Sequence, residues 1–134
     1  MRYSMNIEKE MFDNAIDLLN KRCGDDYGCV AVVRIETGEY LTGLLFESNI
    51  SSTDLCAETG PILEAHKLNK KVTHSICVYQ NKEGKNHKIL APCGVCQERL
   101  RFWGKDVKAA ITSKEGKIIF KTLDEISPYY WLDK

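Results

Sequence analysis

Cys93-Gly94-Val95-Cys96 puts two thiols one helical turn apart directly after Pro92. At that spacing both sulfurs can converge on one metal ion, and the proline suits a helix start. Alone, the pair is ambiguous. A redox dithiol would look the same, because a helix N-terminus lowers a thiol pKa whatever its task, and so would half of a structural zinc site. Among the other cysteines only Cys56 has an equally suggestive setting, since Leu55-Cys56-Ala57-Glu58 stands at a predicted helix start after Thr53 and Asp54. Three thiolates leave one position of a tetrahedral zinc open, which is the arrangement of catalysis rather than scaffolding. Glu58, two residues beyond Cys56, is badly placed as a ligand but can hydrogen-bond a water in the open position and carry its protons. Cys23, Cys29 and Cys77 fall at a predicted helix end and on strands and read as small core residues. Cys77 is the alternative fourth ligand that would close the site. His66, His74 and His87, read as helical, strand-borne and in a loop, lack ligand spacing with the cysteines.

Periodicity supplies the elements that must position these groups. Ile7, Met11, Ala15, Leu18 and Leu19 make the apolar stripe of a helix over 6–22, with Ser4 or Asn6 as cap and Glu8 and Glu10 in its first turn. Residues 29–35 and 40–46, separated by Glu36-Thr37-Gly38-Glu39, predict an antiparallel hairpin. A polar loop over 47–54 leads to Cys56 and a helix that runs to Asn69. Pro61 lies too far beyond Cys56 for a free first-turn position, so it should kink that helix or delay its regular part. Residues 72–79 predict a strand, 80–88 a solvated loop, and 93–103 a helix with Gly104 at its C-terminal cap. Two more strands, 107–112 and 117–121, flank a turn at 113–116. Thr122-Leu123-Asp124-Glu125 has capping-box spacing for a short last helix before Pro128. The alternation predicts an α/β fold of three layers, α/β/α, whose central mixed sheet of about five strands is covered by helices on both faces.

With 134 residues and 43% hydrophobic content, the chain reads as one domain over 1–134 with enough apolar material for a core. Lys plus Arg and Asp plus Glu each number 19, so the formal net charge is zero. That balance gives no long-range pull toward nucleic acid or anionic membrane, and no basic, aromatic stripe suits a nucleic-acid strand. No apolar run approaches the ~18 residues that cross a bilayer, and the first residues lack the pattern of a signal peptide. A cytoplasmic location follows as the expectation. Thiols stay reduced there, so clustered cysteines more often bind metal or do chemistry than pair.

Cys56-Ala57-Glu58 followed by Pro92-Cys93-Gly94-Val95-Cys96 resembles the two motifs of the cytidine deaminase family, which includes the blasticidin S deaminases. The order of elements is similar to the family's whole domain, so the resemblance covers nearly all of the chain. It implies Zn2+ held by Cys56, Cys93 and Cys96, whose bound water becomes a hydroxide that attacks C4 of a cytosine ring. Glu58 would take the water's proton, protonate ring N3 and help ammonia leave, and the Ala57 N–H would bind the pyrimidine O2. Counting back from Cys56, Glu47 falls where nucleoside deaminases contact the sugar hydroxyls, and Tyr27 where an aromatic packs on the pyrimidine. The tail from Ile126 to Trp131 is similar to the family's Leu-Leu-Pro tail, which makes Trp131, with Tyr130 second, a lid on a neighbouring subunit's pocket. A homo-oligomer, dimer or tetramer, is thereby implied. There are departures. Leu45 replaces the sugar-binding asparagine, while Thr59 and Gln97 stand where basic residues are common, with Arg99 and Arg101 nearby. The expected activity is hydrolytic deamination of a small cytosine-containing molecule, cytidine or deoxycytidine first and blasticidin S as the rival. A structural zinc module is the alternative from another class.

Overall fold

The computed structural model describes residues 6–84, 86–113 and 117–132. Ser4 and positions 114–116 of the predicted turn lie outside them. Asn6 caps helix α1 (Ile7–Arg22), its side chain accepting from the Lys9 N–H at 2.9 Å, and Glu8 and Glu10 face the positive end of the helix dipole. Strands β1 (Gly28–Ile35) and β2 (Tyr40–Leu44) form the predicted hairpin, with Val30 opposite Leu44 and Ala31 opposite Gly43. β3 (Val72–Gln80) runs antiparallel on the other side of β1. β4 (His87–Ile89) pairs with the end of β3, β5 (Lys108–Ile111) runs parallel to β3, and β6 (Ile119–Thr122) returns antiparallel.

Among the described residues the sheet is mixed and six-stranded, in the order β2-β1-β3-β5-β6 with β4 beside β3. The strand beyond the expected five is β4, which falls at the end of the segment read as a loop. His87 therefore opens a strand. Three residues are too few for a two-residue period to show against the polar background.

Alternation along the central strands divides the core between the two faces of the sheet. Val30 and Val32 point to one face and pack with Met11, Ala15 and Leu19 of α1 and with Ile76 and Val78 of β3. Val33 and Ile35 point to the other, where they meet Ile62 and Ala65 of helix α2 (Thr59–Leu68), Leu100 of α3 (Gly94–Leu100) and Leu123 of α4 (Leu123–Ile126). Met11, Leu19, Ile76 and Leu100 are essentially fully buried, and each contributes ~1.5–3 kcal/mol. Both helices that follow a cysteine motif thus lie on one face. Asn69, at φ 57°, ends α2, and α3 runs on through a 3-10 turn (Arg101–Trp103) to Gly104 at φ 110°. The capping box at Thr122 is formed in both directions with Glu125. No helix among the described residues is long and apolar enough to cross a membrane.

Candidate active site

Helix α2 starts at Thr59 rather than at Cys56, and Pro61 is the reason. Helical bonding from Ala57 onward would need a Pro61 N–H to reach the Ala57 carbonyl, and proline has none. The first full-length helical bond is instead Ile62 N–H to Glu58 O at 3.0 Å. Cys56, Ala57 and Glu58 form a tight turn closed by Thr59 N–H to Cys56 O at 3.0 Å. In the first turn of α2 the proline sacrifices no bond, because the leading helical N–H groups have no internal partner. The Ala57 carbonyl packs against Gly43 of β2, where a Cβ would come within 2.4 Å of it. Upstream, Phe46 and Leu55 exchange backbone bonds of 3.1 and 2.9 Å. That bridge closes the 47–54 loop and fixes Glu47 and Cys56 on either side of it.

The second arm begins at Pro92. Cys93 is the N-cap of α3, and Cys96 lies buried in its first turn. The Sγ atoms of Cys56 and Cys93 are 3.6 Å apart, and those of Cys56, Cys93 and Cys96 all lie within 4.8 Å of one another. Zn–S bonds of ~2.3 Å in a tetrahedron separate sulfurs by ~3.8 Å, so this donor set fits zinc with small side-chain adjustments. Cys77 does not join it. Its sulfur lies 3.3 Å from that of Cys29, and the group that could hold a metal ion among the described residues is the three-cysteine one.

Glu58 is 4% exposed, and its Oε1 is 3.6 Å from the Cys96 sulfur. Burial raises its carboxyl above the ordinary range, against the opposing pull of its own backbone N–H and the Cys96 thiol. Burial likewise pushes up the thiols of Cys56 and Cys96. Cys93 goes the other way: burial opposes its thiolate, but hydrogen bonds from the Cys96 N–H, the neighbouring thiols and the Val95 N–H outweigh it. A cavity of about 150 Å³ is lined by Cys56, Ala57, Glu58 and Cys93, with Cys29, Leu45 and Cys77 on its other walls. Cys29 and Leu45 also line a second cavity of about 220 Å³ that holds Tyr27 and Glu47.

No protein-family model matches the chain. The crystal structure of the cytidine deaminase from Bacillus anthracis superposes with a TM-score of 0.91 at 48% sequence identity, covering 94% of this chain and 90% of that one. This chain belongs to the cytidine deaminase family. It is a hydrolytic deaminase. The blasticidin-S deaminase of Bacillus cereus is 26% identical over 102 residues, which are 73% of this chain and 72% of that protein. The cytidine deaminase of Burkholderia pseudomallei, at 15% identity and a TM-score of 0.70 over 92% of this chain and 98% of that one, shares the fold.

Within this deaminase the groups predicted from sequence fall into three places. Cys56, Ala57, Glu58, Cys93 and Cys96 come together, and Tyr27 donates its O–H to Glu47 Oε1 in the adjoining cavity. Trp131 is elsewhere: its Nε1–H donates to Glu98 Oε2 at 2.9 Å on the flank of α3, and Tyr130 O–H donates to Oε1 at 2.6 Å. The residues at the departures have structural partners. Gln97 bonds to the Pro92 carbonyl at 2.9 Å and accepts from Ser127 at 2.8 Å, while Arg99 donates to the Thr59 hydroxyl at 2.9 Å. Arg101 donates to the carbonyls of Leu123 and Ser127, both at 3.1 Å, and covers the Tyr130 ring at 3.7 Å. Cys29 and Cys77, read as core residues, also form cavity wall, as do Leu90 and Ala91. Strand alternation signals that such residues face inward, but not that the interior beside them is hollow.

Proposed function

We propose that this deaminase is zinc-dependent and converts a cytosine nucleoside, cytidine or deoxycytidine, to the uracil form with release of ammonia. One observation carries the proposal: three sulfurs converge within 4.8 Å of one another, and two of them, Cys56 and Cys93, share the wall of one cavity with the nearly buried Glu58 carboxyl. Cys56, Cys93 and Cys96 would hold the zinc, which when bound supplies Lewis acidity and so lowers the pKa of water. Glu58 accepts the proton of the attacking water and delivers it to ring N3, then takes the second proton from the hydroxyl now on C4 and passes it to the leaving amine; its raised pKa suits a group that must both take and give. The Ala57 N–H finds no acceptor among the described residues and is available to the pyrimidine O2. Tyr27 packs on the base, and Glu47 meets the sugar hydroxyls.

The functional unit is a homo-oligomer, dimer or tetramer, in which Trp131, with Tyr130, covers a neighbour's pocket. In support, a groove of about 520 Å³ on the outer face of α2 and α3 is lined by exposed Leu63 and Phe102 and by Glu98, the residue that holds the tail. Six unpaired cysteines suit a cytoplasmic setting, and a reaction that turns a free cytosine nucleoside into its uracil form suits a role in pyrimidine salvage.

Leu45 in place of an asparagine, together with the likeness to the Bacillus cereus protein, keeps blasticidin S as a second substrate reading. Ammonia release from cytidine, deoxycytidine and blasticidin S separates the two, with cytidine or deoxycytidine turned over fastest. Turnover of none overturns both. Metal analysis and X-ray absorption should give one zinc per chain, with three sulfurs and one lighter donor. Four sulfurs would instead establish a structural module.

A further inference from the structure

Two thiols in the cavity wall have no part in the mechanism. Cys29 on β1 lies opposite Tyr79, and Cys77 on β3 opposite Ala31, so they are diagonal neighbours on one face of an antiparallel pair. Their sulfurs are 3.3 Å apart and neither is in a disulfide. The sulfurs are thus in contact, and closing to the ~2.05 Å of a disulfide requires a further approach of little more than ~1 Å.

The two thiols differ in environment. Cys29 is partly exposed and lines both the 150 Å³ and the 220 Å³ cavity, whereas Cys77 is 7% exposed. The bond between them lowers the Cys29 thiol against the effect of burial and, with burial, raises that of Cys77. A partly exposed thiol in contact with a buried one is the arrangement in which a first oxidation is resolved as a disulfide.

We propose that Cys29 and Cys77 form an oxidisable dithiol site in the wall of the deaminase cavity, with Cys29 the thiol that reacts with a small peroxide and Cys77 the thiol that resolves it. The Cys29 thiolate attacks one oxygen of hydrogen peroxide; the S–O bond forms, the O–O bond breaks, and hydroxide leaves and is protonated to water. Cys29 is then a sulfenic acid, oxidised by two electrons. The Cys77 thiol attacks its sulfur; the S–S bond forms, the S–O bond breaks, and the departing hydroxide takes the Cys77 proton and leaves as the second water. In sum, two thiols and one peroxide give one disulfide and two waters.

The test uses the zinc-loaded, full-length protein, treated with hydrogen peroxide, alkylated and digested without reductant. A linked peptide pair joining Cys29 to Cys77 is expected in most chains, lost on reduction, while the zinc content stays unchanged. In Cys77→Ser the reaction should stop at the sulfenic acid, which dimedone traps on Cys29, whereas Cys29→Ser gives neither the link nor an adduct on Cys77. If Cys77→Ser fails to fold, a wild-type time course serves in its place, with a dimedone adduct on Cys29 early and the disulfide late. A link between any other pair, zinc loss without the Cys29–Cys77 link, dimedone capture on Cys77 first, or full alkylation of both thiols after peroxide overturns the proposal.

Discussion

Adding a single methyl group at Gly43 tests how β2 holds the turn that carries Cys56 and Glu58. A Cβ there would lie 2.4 Å from the Ala57 carbonyl oxygen and 2.4 Å from Pro61 Cδ, where ordinary contact begins at 3.4 Å. About 1 Å must therefore be found. Neither obstacle is the end of a flexible side chain, since one is backbone and the other a ring atom fixed to it. Retreat of β2 would disturb the ladder in which Gly43 pairs with Ala31, so much of the displacement falls on the Cys56-Ala57-Glu58 turn. Overpacking of this kind costs ~1–3 kcal/mol. For a chain of this length that is a fall in Tm of roughly 3–5 °C per kcal/mol. Misplacing a reacting group by ~1 Å lowers turnover ~100-fold. Gly43→Ala should show both effects in thermal melting and in steady-state ammonia release. Gly60→Ala is the comparison, because outside its chain neighbours its Cβ would meet only the Gly43 Cα, at 4.0 Å; with Pro61 next in the chain no stabilising gain is expected from it, and it should leave the Cys56-Ala57-Glu58 turn in place. A Gly43→Ala enzyme that melts and turns over like wild type would refute the reasoning.

Glu58→Gln should keep its zinc while kcat drops by at least ~100-fold, checked by metal analysis and ammonia release; near-normal turnover removes Glu58 from proton transfer. Gln80, 1% exposed, donates to the carbonyls of Gly24 and Asp26 at 2.9 and 2.7 Å. Gln80→Leu should destabilise by ~1–3 kcal/mol per carbonyl stranded and raise KM by loosening the segment that carries Tyr27, as denaturation and kinetics would show. Thr122→Ala removes the capping-box hydroxyl of α4 and should lower stability by ~0.5–2 kcal/mol in urea denaturation. Hydrogen bonds from Tyr130 and Trp131 hold the Glu98 carboxyl below the usual carboxylate range. A depressed folded pKa means that tail docking is at full strength above the usual range and is lost as pH falls through the lower, folded value. Tryptophan fluorescence should report that transition in wild type and lose it in Glu98→Gln; a midpoint at or above the ordinary carboxylate pKa contradicts the docking.

The site was legible in the sequence because its chemistry is local. Two cysteines one turn apart and a glutamate two residues past a third restrict what can bind between them, and hydrophobic alternation on β1 and β3 restricts where the flanking helices can pack. The Asn6 cap, the Thr122 capping box and Gly104 were equally readable, each being a short-range bond or a backbone requirement. Properties set at long range were not. β4 exists because β3 offers it an edge, and three residues cannot announce that. The start of α2 was half legible: Pro61 gave the delay, but only the packing of Ala57 against Gly43 shows what the delayed turn rests on. Cys29 and Cys77 share the signature of buried strand residues, and their role as cavity wall depends on what the opposite wall leaves unfilled.

The bridge between Phe46 and Leu55 separates the rim of the pocket from its machinery. Because the two strands of chain are clasped there, the stretch beyond Glu47 can lengthen, shorten or change composition without transmitting strain to Cys56. Beyond the clasp the loop closes on itself, the Ser48 N–H donating to Asp54 Oδ1 at 3.0 Å around the 3-10 turn Ser51–Thr53. On the function proposed above, substrate preference at the outer end of the cavity and metal geometry at the inner end become separable traits. The loop over 48–54 is accordingly a place where this scaffold can accept new surface while the Cys56-Ala57-Glu58 turn stays intact.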